Sequence, residues 1–100
     1  MPRQFHVYMM TNKPNGVIYI GVTSDLVRRV YQHRTGTGGR FTKRFNLRRL
    51  VWAEFHETAG SAIAREKQLK HWNRAWKIKL IEEGNPAWDD LYERYGAMLV

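Results

Sequence analysis

The chain has 100 residues, 43% of them hydrophobic, which predicts one domain spanning residues 1–100 rather than two. It carries 17 Lys and Arg against 9 Asp and Glu, a formal net charge of +8, so a polyanion such as nucleic acid is the expected partner. The absence of Cys excludes disulfides and thiolate metal sites and favours a reducing, cytoplasmic setting. Because no apolar run approaches the roughly 20 residues of a membrane span, we expect a soluble protein without a membrane partner.

Alternating polarity, turn residues and helix formers divide the chain into strands and helices. In chain order the sequence predicts strands at 5–10 and 17–22, a helix at 25–34, a loop at 35–40, a strand at 49–56, and helices at 62–72, 76–83 and 88–95. The turn formers Pro14, Asn15 and Gly16 make an antiparallel hairpin of the first two strands. The register of that hairpin, and hence whether its two tyrosines share one side, is left open.

A basic helix is predicted directly after the hairpin. Thr23 or Ser24 is its expected N-cap, and Asp25 complements the positive end. At about 100° per residue, Arg29 and His33 lie one turn apart on the edge of the apolar stripe. Their side chains can therefore point at one shared spot.

Glu66 is unusual because it falls on the stripe of its helix that should meet the core. Burying an ionised carboxylate without a partner costs several kcal/mol. One partner is a bound divalent cation. The alternative is a salt bridge to Arg29, or to Lys70 one turn further on, and position alone leaves the two open.

One ordered set of residues carries a family resemblance. The set is Tyr8, the run Tyr19-Ile20-Gly21, Arg29, His33, Glu66 and Asn85. It resembles the GIY-YIG nuclease superfamily, in particular its small stand-alone members, from about residue 5 to about residue 91. In the first motif, His6-Val7-Tyr8 stands in place of Gly-Ile-Tyr. Val keeps an apolar strand former, whereas His adds bulk and a titratable ring that would narrow the site or supply another proton carrier.

The resemblance implies an α+β fold, a small three-stranded antiparallel sheet flanked by helices. It also implies hydrolysis of phosphodiester bonds with one divalent metal ion, Mg2+ or Mn2+. The site residues that it implies are the motif tyrosines Tyr8 and Tyr19, the motif arginine Arg29, the companion His33, the metal-binding carboxylate Glu66, and the supporting Gly21 and Asn85.

Phosphodiester hydrolysis explains why these residue types are needed. A single hard cation can bind through one carboxylate and fill its other positions with water and phosphate oxygens. Arg29 can donate two hydrogen bonds to a phosphate in fixed geometry, which lysine cannot match. A tyrosine, with a pKa of about 10, acts as a general base only where cations favour its phenolate. We expect Tyr8 to accept the proton and Tyr19 to position the phosphate, with an exchange of the two roles left open.

A basic stretch follows the glycine-rich loop. Its cations are Arg40, Lys43, Arg44, Arg48 and Arg49. We expect them to contact nucleic acid. Phe41 and Phe45 are interleaved with them, and we expect both rings to pack in the core, with contact to bases as the alternative.

These residues favour a metal-dependent endonuclease that acts on DNA rather than RNA, as a monomer or weak homodimer. The alternative is a non-catalytic nucleic-acid-binding module on the same scaffold, and a third reading is a structural or protein-interaction domain. Retention of the polar site residues favours the enzyme, because a pure binder has no need of a carboxylate facing phosphates. No motif encodes sequence specificity or a biological pathway.

Overall fold

The computed structural model describes residues 4–98, in which it places three strands and five helices. They are β1 (Phe5–Thr11), β2 (Ile18–Thr23), α1 (Leu26–Arg34), α2 (Arg40–Arg44), β3 (Arg49–His56), α3 (Ala59–His71), α4 (Arg74–Gly84) and α5 (Tyr92–Met98). The strands form one antiparallel sheet in the order β2-β1-β3. The predicted fold class is therefore confirmed. No helix within 4–98 is long and apolar enough to cross a membrane.

The hairpin of β1 and β2 closes at the predicted turn. Asn15 adopts a φ of 58°, a left-handed conformation that Asn tolerates better than most residues. Gly16 donates its N–H to the Lys13 carbonyl at 2.9 Å. Arg74 at the start of α4 fastens the turn by donating to the carbonyls of Asn15 and Gly16 at 2.6 and 2.7 Å.

The register of the hairpin determines which side chains share a face of the sheet. Tyr8 lies opposite Gly21, and Met10 lies opposite Tyr19. Directly opposed residues share a face, as do alternate residues along one strand. Tyr8 and Tyr19 therefore lie on the same side, with their ring centroids 6.3 Å apart.

Both faces of the sheet are covered, and the central strand β1 is buried from residue 6 to residue 11. The face that carries Val7 and Met9 packs against α3 and α4. The face that carries Tyr8 and Met10 packs against Leu26 and Val30 of α1. Helix α1 therefore packs on the same face of the sheet as the two tyrosines.

Asp25, rather than Thr23 or Ser24, is the N-cap of α1. Its carboxylate accepts the N–H of Arg28 at 3.2 Å. The Thr23 hydroxyl instead accepts the N–H of Asp25 at 3.0 Å, outside the helix. The predicted cap was wrong because the hydroxyl is used in this local turn, which leaves the carboxylate, a stronger acceptor, to the helix.

The last helix begins at Tyr92, not at residue 88 as predicted. Trp88 has a φ of 57° and is 1% exposed, and its indole N–H donates to Glu82 Oε2 at 2.7 Å. This residue is thus held in a buried turn that cannot continue into a helix. The predicted bounds of β3 are confirmed, whereas α3 and α4 begin a few residues earlier than predicted.

Strand β3 contains a β-bulge, and backbone groups at this bulge form hydrogen bonds with the C-terminal segment. The pairing of β1 with β3 shifts after Met9, which leaves Val51 without an opposite residue on β1. Asn85 donates its side-chain amide to the Val51 carbonyl at 3.1 Å. The N–H of Leu50 donates to Asp90 Oδ1 at 3.2 Å. The predicted supporting residue Asn85 therefore holds the backbone of β3.

Candidate active site

A buried hydrogen bond between a tyrosine and a histidine lies at the centre of the candidate site. Tyr8 Oη lies 2.9 Å from His33 Nε2, and both residues are 1% exposed. On the other side of the ring, His33 Nδ1 lies 3.0 Å from Thr42 Oγ1. The Thr42 hydroxyl donates its proton to the Gly39 carbonyl at 3.3 Å, so it accepts from His33 Nδ1–H. In this tautomer, Nε2 accepts the Tyr8 hydroxyl proton.

Burial determines the protonation states of this pair. Desolvation raises the pKa of Tyr8 above its ordinary value, the Tyr19 phenol adds to this, and the Arg29 charge opposes it. Desolvation, and then the Arg29 charge, lowers the pKa of His33 to about 4. Both side chains are therefore neutral at pH 7. Arg29 alone does not favour the Tyr8 phenolate, because the cost of desolvation exceeds the attraction of its guanidinium.

The low pKa of His33 predicts that the fold loses stability in acid. In an unfolded chain His33 has a pKa of about 6.5. Because its pKa in the folded protein is lower, folding favours the neutral form of the imidazole. This contribution is complete above pH 6.5 and is lost as the pH falls towards about 4. When the pH is lowered from 7.5 to 5, we expect the protonation of His33 in the unfolded chain to lower the free energy of unfolding of the wild type by about 2 kcal/mol.

Urea denaturation of the wild type and of His33→Gln at the two pH values measures this contribution. His6, whose pKa is also lowered by burial, is present in both proteins, so its effect cancels in the difference. Equal pH dependence in the two proteins would mean that His33 is readily protonated in the folded state.

Arg29 is held beside His33 by the glycine-rich loop. Its Nη2 donates to the Gly38 carbonyl at 2.8 Å, and its Nη1 donates to Gln32 Oε1 at 3.0 Å. A Cβ atom on Gly38 would lie 2.5 Å from His33 Nδ1, so only glycine fits there. Arg29 and His33 thus meet at one residue of the loop, which confirms that they reach a common point.

An open cavity gives access to Arg29 from solvent. It has a volume of about 380 Å3 and is lined by Thr23, Ser24, Asp25, Arg28, Arg29 and Gln32. Two of the five N–H donors of the guanidinium are used by the protein, and the others remain for an anion. The cavity is therefore large enough and suitably charged for a phosphate group on Arg29.

Gly21 lets the Tyr8 ring lie directly on β2. A Cβ atom at position 21 would lie 2.6 Å from both Cζ and Oη of Tyr8. The φ of Gly21 is not in the left-handed region, so glycine is required here for space and not for its backbone freedom. Gly21 thereby fixes the depth at which Tyr8 reaches His33.

Tyr19 lies on the side of this group of side chains that faces the protein surface. Its ring centroid lies 5.6 Å from that of His33, and the residue is partly exposed. Tyr8, in contrast, lies behind it and is closed to solvent. The structure thus brings four of the predicted site residues together, namely Tyr8, Tyr19, Arg29 and His33.

Three further residues of this group were missed by the sequence analysis: Gln32, Gly38 and Thr42. They position Arg29 and His33 through the contacts described above. The glycine-rich segment 36–39 was the only signal, because Thr42 has no spacing that would link it to a histidine nine positions earlier.

Glu66 lies outside this hydrogen-bonded group. Its helix packs against the face of the sheet opposite Tyr8. The side chain is 16% exposed, and Oε1 lies 3.1 Å from Nζ of Lys70, which is 53% exposed. This is the salt bridge that the sequence left open as an alternative. A pair with so exposed a lysine contributes little to stability.

The donor set of the described residues suits a metal ion with few protein ligands. Within residues 4–98 no group of three or more His, Asp or Glu side chains is placed to hold a metal. A magnesium ion needs no such group, since it retains several waters and binds through one or two carboxylates and phosphate oxygens. The carboxylate of Glu66, which is mostly buried, fits that requirement, and its role as ligand stays a prediction.

His6, which stands where the family motif has Gly, lies away from the Tyr8 hydroxyl. Its ring packs edge-on against Phe55 and Tyr95, with centroid distances of 5.7 and 5.9 Å. Its Nδ1 lies 3.3 Å from the carbonyl of Gln4. The additional ring therefore fills the space between β3 and α5, and not the space beside His33.

The predicted nucleic-acid-binding residues divide into two groups. Arg40, Lys43 and Arg44 are exposed on α2, the helix whose Phe41 ring lies beside that of Tyr19. Arg48 and Arg49 line a separate open cavity of about 340 Å3. Arg49 also donates to the Trp88 carbonyl at 3.0 Å, so it has a structural role as well.

Both phenylalanines of α2 are exposed, so the expectation that they pack in the core was wrong. Phe41 is 47% exposed and Phe45 is 37% exposed. Helix α2 has only five residues and buries Thr42 alone. Because Thr42 turns inward to reach His33, the two rings are left on the outer side.

Comparison with known proteins identifies the class of this domain. The model of a family described as the GIY-YIG catalytic domain matches residues 4–79. The chain therefore belongs to the GIY-YIG family, a family of nucleases whose members typically use divalent metal ions, as the motifs predicted.

Individual relatives are small proteins of similar length. The UPF0213 protein SSP2268 of Staphylococcus saprophyticus is 34% identical over 79 residues, which cover 79% of this chain and 95% of that protein. The UPF0213 protein SERP0126 of Staphylococcus epidermidis is 33% identical over 79 residues, with 79% and 96% covered. The solution NMR structure of the UPF0213 protein BH0048 from Bacillus halodurans matches with a TM-score of 0.55 and 26% identity, covering 87% of this chain and 92% of that chain.

Proposed function

We propose that the protein is a metal-dependent endonuclease that hydrolyses phosphodiester bonds in DNA. The observation that carries the proposal is the buried Tyr8–His33 hydrogen bond, with Tyr19 and Arg29 packed around it in a domain of a nuclease family. The net charge of +8 supports a polyanionic substrate, and the lack of Cys supports a cytoplasmic setting. We infer a monomer or weak homodimer.

Arg29 binds the scissile phosphate in this mechanism. Its guanidinium is oriented by Gly38 and Gln32 before substrate arrives, so little reorganisation is needed when the charge on the phosphate grows. Arg29 lines the open cavity, so its remaining N–H donors can bind phosphate oxygens in a fixed fork.

The tyrosines and His33 move the proton. Tyr19 is the phenol that solvent and substrate reach, so it positions the attacking water, or accepts its proton while it passes its own to Tyr8 Oη. Tyr8 can accept a proton on Oη while it passes its own to His33 Nε2, so that no phenolate persists in the buried pocket. The negative charge of a phosphate on Arg29 favours the imidazolium form of His33 that results.

Glu66 is the residue that would hold a divalent cation. When bound, Mg2+ or Mn2+ supplies stabilisation of the phosphate charge and an acidic bound water. The support for this role is the family resemblance and the mostly buried carboxylate, whose present partner is an exposed lysine.

Cleavage assays with a matched pair of variants test the proposal. The purified protein is incubated with supercoiled plasmid, single-stranded DNA and RNA, with Mg2+, Mn2+ or EDTA. We expect metal-dependent nicking of DNA that falls about 100-fold in Glu66→Gln, because the cation loses its protein ligand. Glu83→Gln, which removes an exposed carboxylate of α4, is expected to cleave at the wild-type rate.

The outcomes separate the two functional hypotheses. Wild-type protein that binds DNA but never cleaves it with either metal would support the non-catalytic binding module. Two observations favour this alternative: Tyr8 is buried away from solvent, and the Glu66 carboxylate is paired with Lys70. Equal cleavage by Glu66→Gln and wild type would show that Glu66 is not the metal ligand.

A further inference from the structure

Three aromatic rings form a continuous surface that leads away from the candidate site. We call Tyr19, Phe41 and Phe45 the aromatic shelf. The ring centroids of Tyr19 and Phe41 lie 6.0 Å apart, and those of Phe41 and Phe45 lie 4.7 Å apart. Tyr19 at the inner end contacts His33, whereas the two phenylalanines at the outer end are exposed. The shelf thus begins at the reacting groups and ends in solvent.

The surroundings of the shelf are strongly cationic. The guanidinium of Arg44 lies 5.4 Å from the centroid of the Phe45 ring, and Arg40 and Lys43 are exposed on the same short helix. No acidic residue occurs in the sequence between Asp25 and Glu54. Exposed rings within a cation-rich surface suit a ligand that has both flat apolar faces and negative charges. A nucleobase attached to its phosphates has both properties.

We propose that the aromatic shelf stacks an unpaired base of the strand whose phosphate Arg29 binds, so that the preferred substrate contains a single-stranded segment. The inference rests on the proposed function, since it places the scissile strand at Arg29. In a continuous duplex each base face is covered by its neighbours in the stack, so it cannot lie on a protein ring without leaving the helix. An unpaired base is free to do so, and any of the four bases fits because each has a π-face.

Binding measurements without cleavage test the shelf directly. Protein in EDTA is titrated into single-stranded oligonucleotides that contain 2-aminopurine and into matched duplexes, and both fluorescence quenching and anisotropy are recorded. We expect tighter binding of the single strand with strong quenching. Phe41→Ala and Phe45→Ala should weaken single-strand binding about 10-fold and reduce the quenching, while duplex binding changes less than about twofold. Phe45→Trp, which keeps a stacking ring, should retain the wild-type behaviour.

Phe55→Ala is the matched control, because Phe55 is 54% exposed but lies on β3 at the opposite edge of the sheet. It should bind both substrates like the wild type. Thermal unfolding of each variant verifies that the fold is kept, which the exposure of the replaced rings leads us to expect.

Several results would overturn the shelf proposal. One is tighter binding of the duplex than of the single strand by the wild type. Another is an equal loss of single-strand and duplex affinity in the Phe41 and Phe45 variants. A third is that these variants lose only self-association, measured by sedimentation, which would make the shelf a contact between copies of the chain. The proposed function is judged separately by cleavage with Mg2+. Quenching that depends on Phe41 and Phe45 supports the shelf even in a protein that does not cleave, whereas duplex cleavage that ignores both rings refutes only the shelf.

Discussion

Arg29→Ala is expected to lower the rate of phosphodiester cleavage by about three orders of magnitude. The guanidinium is positioned in advance by Gly38 and Gln32 and has donors left for the phosphate. Arg29→Lys should recover at most about tenfold of this loss, because an ammonium group cannot hold the loop and bind a phosphate through two parallel bonds. Cleavage of supercoiled plasmid under single-turnover conditions measures the rates.

The neighbouring residue provides the control for Arg29. Arg28 lines the same cavity but is exposed to solvent. Arg28→Lys keeps the charge and is expected to change the rate less than about threefold. Full activity of Arg29→Lys would show that only a positive charge, and not the guanidinium geometry, is needed at this position.

Gly21→Ala is expected to destabilise the protein by about 2–3 kcal/mol and to abolish cleavage. The added Cβ would lie 2.6 Å from the Tyr8 ring, and the neighbouring backbone of the central sheet cannot move aside cheaply. Tyr8 must therefore shift, which breaks its hydrogen bond to His33. Urea denaturation gives the loss of stability, and the plasmid assay gives the loss of activity.

Two comparisons isolate the cause of this loss. Gly60→Ala on α3 has nothing within 4 Å of the new Cβ, so it should be neutral or stabilise by up to about 1 kcal/mol. In a Tyr8→Ala background, Gly21→Ala should cost much less than in the wild type, since the clashing ring is gone. An unchanged cost in that background would place the strain in the backbone rather than in the contact with Tyr8.

Sequence reasoning predicted the elements whose signals are local. The bounds of β3 and the placing of Arg29 and His33 on one helix followed from periodicity, which depends only on backbone geometry. The family motif supplied the tyrosines. The register of the hairpin was not predictable, because it depends on how the turn and both faces of the sheet pack together.

The remaining differences concern burial, which no local pattern specifies. The protonation state of Tyr8 depends on desolvation by elements far away in the sequence. The exposure of Phe41 follows from the inward turn of Thr42, a residue with no motif of its own. For Glu66 the pattern placed the carboxylate beside the core, but only the coordinates distinguish its lysine partner from the alternatives.

The bulge in β3 has a consequence for the smallest fragment that can fold on its own. The family match ends at residue 79, yet the amide and carbonyl groups freed at Leu50 and Val51 are bonded by Asn85, Asp90 and Leu91. In a fragment that ends at residue 79, the backbone groups of Leu50 and Val51 would be buried in an apolar interior without hydrogen-bond partners. The C-terminal segment is thus an integral wall of the domain and not an appendage to a shorter nuclease core.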